Sequence, residues 1–328
     1  MRGCAGLWAR RRIRKNKSMA DYAIEVDGLA KTFGDFTAVG HISFRVPRGS
    51  IFGFLGPNGA GKSTTIRMLC GLLEPTSGSA SVGGFDIVRQ TGQLKKNIGY
   101  MSQKFSLYED LTVEENIRFF GGVYGLSSLA LKERMKWVVE MAGLEGREKS
   151  LTGTLAGGWK QRLALGCAII HEPAIVFLDE PTSGVDPVSR RNFWELINGL
   201  SEKGTTVLVT THYLDEAEYC NNIIMMDAGK IVADGSPKEL KKRHITYQML
   251  ELQADDVVVA MELLKPATWV RELSLFGMHL HVGVDDAATG AEMIRRTMAA
   301  GGRTVGRIEL ITPSLEDVFI RVVAGKAE

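Results

Sequence analysis

Cysteine is scarce and scattered in this 328-residue chain: Cys4, Cys70, Cys167 and Cys220 form no CxxC pair. That excludes a disulfide framework and a thiolate zinc finger, and it suits a reducing compartment. Long hydrophobic runs are missing too. Stretches such as AIVFL at 174–178 fall far short of the roughly 18 apolar residues that a membrane-spanning helix needs, so any membrane role requires a partner's spans. The basic head has no apolar stretch of about 7 to 15 residues, which excludes a secretory signal. No self-similar halves and no long heptad pattern occur, so a tandem repeat and a coiled coil are not expected.

What is present suits a globular chain of two domains, with 45% hydrophobic and 24% charged residues. The net charge is +2, yet seven basic residues and no acid fall in the first 17, so the remainder is acidic. That balance argues against a nucleic-acid binder. The segment 1–21 is expected to be a disordered overhang, or to precede a start at Met19. Attraction to anionic headgroups is the alternative.

From Tyr22 onward, short strand patterns alternate with helical ones. YAIEVDGL, ISFRV and IFGFL read as strands, and 62–73, 112–124, 129–142 and 159–171 read as helices. AIVFL and TTVLVT, separated by a helix at 187–200, read as buried parallel strands, which makes the core α/β. SPKELKKR at 236–243 closes the first domain, expected over 22–243. The segment 244–328 then reads as strand, helix, strand, strand, helix, strand, an order compatible with a small ferredoxin-like α+β unit.

GPNGAGKST at 56–64 matches GxxxxGK[ST] between a strand and a helix. In that setting Gly56, Pro57, Asn58, Gly59, Ala60 and Gly61 shape a nest of backbone NH groups for a β-phosphate. Lys62 adds charge, Ser63 can hold Mg²⁺, and Thr64 ends the run that grips the phosphates. IVFLDEP sets Asp179 and Glu180 at the end of an apolar strand, a costly place for two acids. One carboxylate serving Mg²⁺ and one facing an attacking water would account for both.

Together with LAGGWKQRL and LDEPTSGVD, in this order, the loop strongly resembles the ATP-binding subunit of ABC transporters over about 22–242. The resemblance implies a P-loop ABC ATPase fold with a mixed sheet core and a helical subdomain. It implies ATP and Mg²⁺ as cofactors, with hydrolysis at two composite sites of a homodimer. Phe33 takes the place of the aromatic that stacks on adenine, and Gln103 that of the glutamine attending Mg²⁺ and water. His212 takes the switch histidine's place, and Asp186 that of the aspartate crossing the dimer interface. Glu180 would be the base, with Asp179, Ser63 and Gln103 at the metal. Ala156, Gly157 and Gly158 correspond to the signature facing the other subunit's γ-phosphate, where a helix start suits an anion. The family usually has serine where this chain has Ala156.

A single ATPase unit, the tryptophan in the signature and the closing SLEDVF are similar to exporters of drugs, lipids and polysaccharides. SLEDVF also reads simply as an amphipathic helix that docks the small domain through Leu315, Val318 and Phe319. The resemblance places the ATPase peripherally on the cytoplasmic side and the contact for a separate permease just after Gln103, at Phe105, Leu107 and Tyr108. Two rivals remain: a scaffold that binds ATP with little turnover, which the missing serine permits, and a soluble ABC ATPase of translation or DNA repair.

Overall fold

A computed structural model describes residues 21–103 and 107–324. The basic head, Cys4 and Phe105 therefore lie outside the described residues.

Alternating apolar residues pair β1 (Tyr22–Phe33) with β2 (Phe36–Pro47) in an antiparallel hairpin. The other edge of β1 takes β4 (Ser77–Val82), which in turn pairs with β5 (Phe85–Asp86). This sheet packs its Ile24, Leu29, Val39 and Val82 against Phe54 and Phe177 of a second, six-stranded sheet. The second sheet runs in the order β10-β9-β3-β8-β7-β6. Its strands are β3 (Ile51–Leu55), β6 (Ile98–Met101), β7 (Ile175–Asp179), β8 (Thr206–Thr211), β9 (Asn222–Asp227) and β10 (Lys230–Gly235). Only β10 runs antiparallel to its neighbour. Every residue of β3, β7 and β8 is buried, which is why these strands read as unbroken apolar runs.

The phosphate-loop helix α1 (Lys62–Leu69) ends four residues earlier than its apolar pattern suggests. Gly71, at φ +64°, turns the chain left-handed there, and the NH groups of Leu72 and Leu73 fold back onto the Arg67 carbonyl. After α2 (Thr91–Asn97), three helices form a unit with its own core: α3 (Val113–Val123), α4 (Ser128–Ala142) and α5 (Gly157–Ala168). Thr112 and Glu115 close a capping box on α3. The helix α5 begins two residues before the tryptophan expected to start it, because Trp159 and Lys160 already donate to the Ala156 carbonyl. It stops at Ala168, short of His171. Then α6 (Pro187–Glu202) and α7 (Pro237–His244) complete this part.

The C-terminal unit comprises β11 (Gln248–Ala254), α8 (Val257–Leu264), β12 (Glu272–Phe276), β13 (His279–Val284), α9 (Ala287–Ala300) and β14 (Val305–Ile311). Its antiparallel strands lie in the order β12-β13-β11-β14, and α8 and α9 cover one face through Ala260, Leu264, Ile294 and Met298. A last helix, α10 (Leu315–Ala324), turns away from that core. Its Leu315 and Val318 are buried in the core of the six-stranded sheet, beside Leu240 and Ile245, with Phe319 packed against them.

Candidate functional site

The loop at 56–61 leaves the buried end of β3 and can reach α1 only through glycine geometry. Gly56 lies at φ +152° with its would-be Cβ 2.2 Å from the Met226 carbonyl oxygen, and Gly61 lies at φ +99° with that position 2.5 Å from the Ala38 oxygen. A side chain at either position would collide with backbone. Ala60 is buried and closes the turn by donating its NH to the Pro57 carbonyl. The turn aims Lys62 inward: its ammonium, 4% exposed, donates to the carbonyls of Gly56 (2.7 Å) and Pro57 (3.1 Å) and lies 3.7 Å from a Glu180 oxygen. Burial pulls the Lys62 pKa down, and the charges of Glu180 and Asp179 oppose that pull.

The two acids at the end of β7 are held by partners far away in sequence. Asp179 Oδ1 accepts hydrogen bonds from Ser63 (2.8 Å) and from Thr210 on the adjacent β8 (2.7 Å). Glu180 has φ +47°, a strained conformation for a residue with a side chain. Its NH donates to the Thr210 hydroxyl at 2.9 Å. Its carboxylate accepts from Gln103 Nε2 at 2.8 Å and lies 3.3 Å from His212 Nδ1, a buried nitrogen without a hydrogen-bond partner among the described residues. The hydroxyl of Ser63, the carboxylate of Asp179 and the amide of Gln103 are hard oxygen donors of the type Mg²⁺ takes, and the glycine-lined cradle with its buried ammonium suits phosphate.

A cleft of about 520 Å³ joins these groups, lined by Phe33, Phe36, Ala38, Asn58, Gly59, Gly61, Lys62, Ser63, Thr64, Gln103 and Glu180. Phe33 and Phe36 are both exposed at its mouth, and the Lys31 ammonium sits 5.2 Å above the Phe33 ring. Ala156, Gly157, Gly158 and Asp186 are not among these lining residues. Ala156 occupies the N-cap of α5 without a side-chain hydrogen bond. Gly158 abuts the start of α6, with its would-be Cβ 2.5 Å from Ser189 Oγ. Asp186 caps α6, accepting from the NH groups of Val188 and Ser189, and the Ser189 hydroxyl, followed by the Ser189 and Val188 NH groups, holds its carboxyl below the ordinary range.

Sequence reasoning missed Phe36 and Thr210. Phe36 follows Phe33 across the β1–β2 turn, and an exposed aromatic in a hairpin was the available signal. Thr210 reads as one more β-branched residue of a buried strand, and only the pairing of β7 with β8 shows its hydroxyl facing the acids.

Residues 39–183 match the ABC transporter family, and residues 235–323 match the C-terminal domain of DrrA1-3-like ATP-binding proteins. The chain is 56% identical over 218 residues to the probable multidrug ABC transporter ATP-binding protein YbhF of Escherichia coli (strain K12). That match covers 66% of this chain but only 38% of the relative's length. It is 36% identical to the Nod factor export ATP-binding protein I of Rhizobium sp. (strain N33), over 94% of this chain and 100% of that one. With the linearmycin resistance ATP-binding protein LnrL of Bacillus subtilis (strain 168) it shares 35% identity, over 91% and 97%. Among solved structures, an ATP-binding subunit of an ABC transporter superposes with a TM-score of 0.62 at 32% identity, over 67% of this chain and 92% of that one. A dimeric post-hydrolysis ATP-binding cassette bound to ADP and Pi gives 0.60 at 26% identity, over 65% and 98%.

Proposed function

Because this chain belongs to the ATP-binding subunits of ABC transporters, we propose that it hydrolyses Mg·ATP as a homodimer and thereby drives export through a separate permease. The observation that carries this reading is the convergence of Lys62, Ser63, Gln103 and Glu180 on one cleft, with Asp179 bonded to Ser63 and His212 beside Glu180 behind them, from elements up to 150 positions apart. Mg²⁺ held by Ser63, Asp179 and Gln103 would neutralise charge that builds up on the transferred phosphoryl group. Lys62 holds the phosphates from the nest side, while Ser63 and Asp179 hold the metal and Thr210 fixes Asp179. Phe33 and Phe36 offer faces for the adenine. Glu180 accepts the proton of the attacking water, oriented by Gln103 and kept near His212. Ala156, Gly157, Gly158 and Asp186 act across the dimer, which fits their placement away from the chain's own cleft. Mg²⁺-dependent phosphate release by the purified chain tests the reading, with Lys62→Ala as the control that must abolish it.

Export is supported by relatives named for Nod factor export, linearmycin resistance and multidrug transport. Among the described residues no helix is long and apolar enough to cross a membrane, consistent with a peripheral subunit on the cytoplasmic face. The permease would dock in a second cleft of about 610 Å³ lined by Gln103, Leu107, Tyr108, Glu109 and Lys160. Gln103 lines both clefts, so a shift of the docked helix reaches the base directly. Capture of the membrane partner in detergent, lost in Tyr108→Asp, checks that assignment.

We further propose an ABC domain over 22–243 and a regulatory or dimer-stabilising unit from 244 onward. The strand–helix–strand–strand–helix–strand order and the 12-13-11-14 strand arrangement support a ferredoxin-like sandwich. The bare N-cap at Ala156 favours one second reading, an ATP-binding scaffold with little turnover, which a measured ATPase rate near zero would select.

A further inference from the structure

We propose that Glu216 is a positioning residue for hydrolysis, a single buried carboxylate that ties the turn carrying Glu180 to the loop carrying His212. The inference rests on the ATPase reading. Glu216 opens a short 3-10 turn (Glu216–Tyr219) and is 1% exposed, although it touches neither the phosphate loop nor the cleft. One of its oxygens accepts a hydrogen bond from Thr182 Oγ1 at 2.5 Å, and the other from Thr211 Oγ1 at 2.6 Å. Both threonines are themselves buried. Thr182 stands two residues after Glu180, and Thr211 immediately precedes His212. The third partner is Arg190 of α6, with Nε 3.5 Å from the carboxylate and its guanidinium 4.0 Å from the Tyr213 ring.

A carboxyl group this deeply buried needs compensating partners, and among the described residues these are the hydroxyls of Thr182 and Thr211 and the guanidinium of Arg190, on the two segments and the helix flanking the proposed base. The arrangement controls a contact that needs control. Glu180 holds a left-handed φ of +47°, and its carboxylate meets His212 Nδ1 at 3.3 Å. Neither strand end fixes that approach alone. Thr211 Oγ1 also accepts the NH of Tyr213 at 3.0 Å, so the same carboxylate sets the direction in which the chain leaves β8 with His212. A displacement on the order of 1 Å between reacting groups costs about a hundredfold in rate.

The test uses the full chain, with steady-state Mg·ATP hydrolysis, nucleotide affinity and thermal melting measured on the same preparations. Glu216→Ala is expected to lower kcat by about a hundredfold while KM and ATP affinity stay within about twofold. Glu216→Gln, whose amide can still bridge both hydroxyls, is expected to keep kcat within about tenfold of wild type. His212→Ala should cost far less in the Glu216→Ala background than in wild type, because the geometry it depends on is already lost. Should Glu216→Ala fail to fold, Thr211→Val removes one of the two ties at nearly constant volume and should lower kcat about tenfold at unchanged KM. Unchanged kcat in Glu216→Ala or Thr211→Val, a parallel loss of ATP affinity, or a fully additive His212→Ala penalty overturns the inference. Wild-type chain that binds ATP without turnover overturns the ATPase reading and this inference with it, whereas wild-type turnover with unaltered variants overturns the inference alone.

Discussion

Among the described residues Lys62 is the one side-chain cation lining the nucleotide cleft, and its neighbours already balance its charge. Removing it takes away two or more charge-assisted hydrogen bonds to phosphate, each contributing roughly 1.5–3 kcal/mol, and leaves Glu180 and Asp179 unopposed against the nucleotide. Lys62→Ala should weaken ATP binding by at least about tenfold, read by titration with a fluorescent nucleotide, and near-wild-type binding or turnover would defeat the phosphate-loop assignment. Glu180→Gln keeps the shape and the hydrogen bond to Gln103 while losing basicity. The expected outcome is retained ATP affinity, hydrolysis slowed by about a hundredfold or more, and a dimer that persists with Mg·ATP in size-exclusion chromatography. A chain that stays monomeric under those conditions would contradict the shared-site arrangement.

At the scale of elements, α5 presents its amino end bare. A serine at Ala156 would accept the NH of the second or third helical residue and stabilise the helix by about 0.5–2 kcal/mol even without nucleotide. Ala156→Ser should therefore raise the melting temperature of the nucleotide-free chain and modestly tighten the ATP-driven dimer; no change in either would show that the hydroxyl has nothing to bind. The neighbouring glycines separate sterics from charge. A Cβ at Gly157 meets nothing within 4 Å, so Gly157→Ala should fold normally, while Gly157→Asp should abolish turnover by setting a carboxylate against phosphate. A different dependence belongs to α10. Burial raises the Asp317 pKa, but hydrogen bonds from His281 (2.8 Å) and Ser314 outweigh it and hold the carboxyl below its ordinary value. A carboxyl whose folded pKa is depressed contributes stability that is present above the unfolded value and lost as pH falls through the folded one. Asp317→Asn should cost roughly 1–3 kcal/mol near neutrality and flatten the loss of stability as pH falls below the ordinary carboxylate range, followed by denaturant melts.

For the molecule as a whole, local pattern and long-range assembly were legible to different degrees. The strand–loop–helix of GPNGAGKST is contiguous, so its geometry follows from glycines and flanking periodicity. The contacts of Ser63 with Asp179, and of Gln103 with Glu180, span 116 and 77 residues; Ser63, Asp179 and Glu180 are legible from their own motifs, but that they meet is not, and Gln103 is reached only through the family resemblance. Thr210 and Glu216 stayed hidden because burial of a polar side chain is decided by which strands and turns meet, and that leaves no local pattern. The apolar stripe of SLEDVF signalled a docking helix without saying which surface receives it. It returns to the ATPase core, so truncation after Arg243 strips Ile245, Leu315 and Val318 from that core. The truncated chain should still bind Mg·ATP, with a melting temperature several degrees lower; complete loss of binding in a soluble, folded truncation would show the domains to be divided wrongly. The return of α10 also imposes an order on biosynthesis. Leu240 and Ile245 emerge from the ribosome well before Leu315 and Val318, with the whole C-terminal sheet to be made between them. At roughly 5–20 residues per second, the nascent ATPase unit carries an open apolar seam for several seconds, during which chaperones and neighbouring chains on the same message compete with the protein's own last helix.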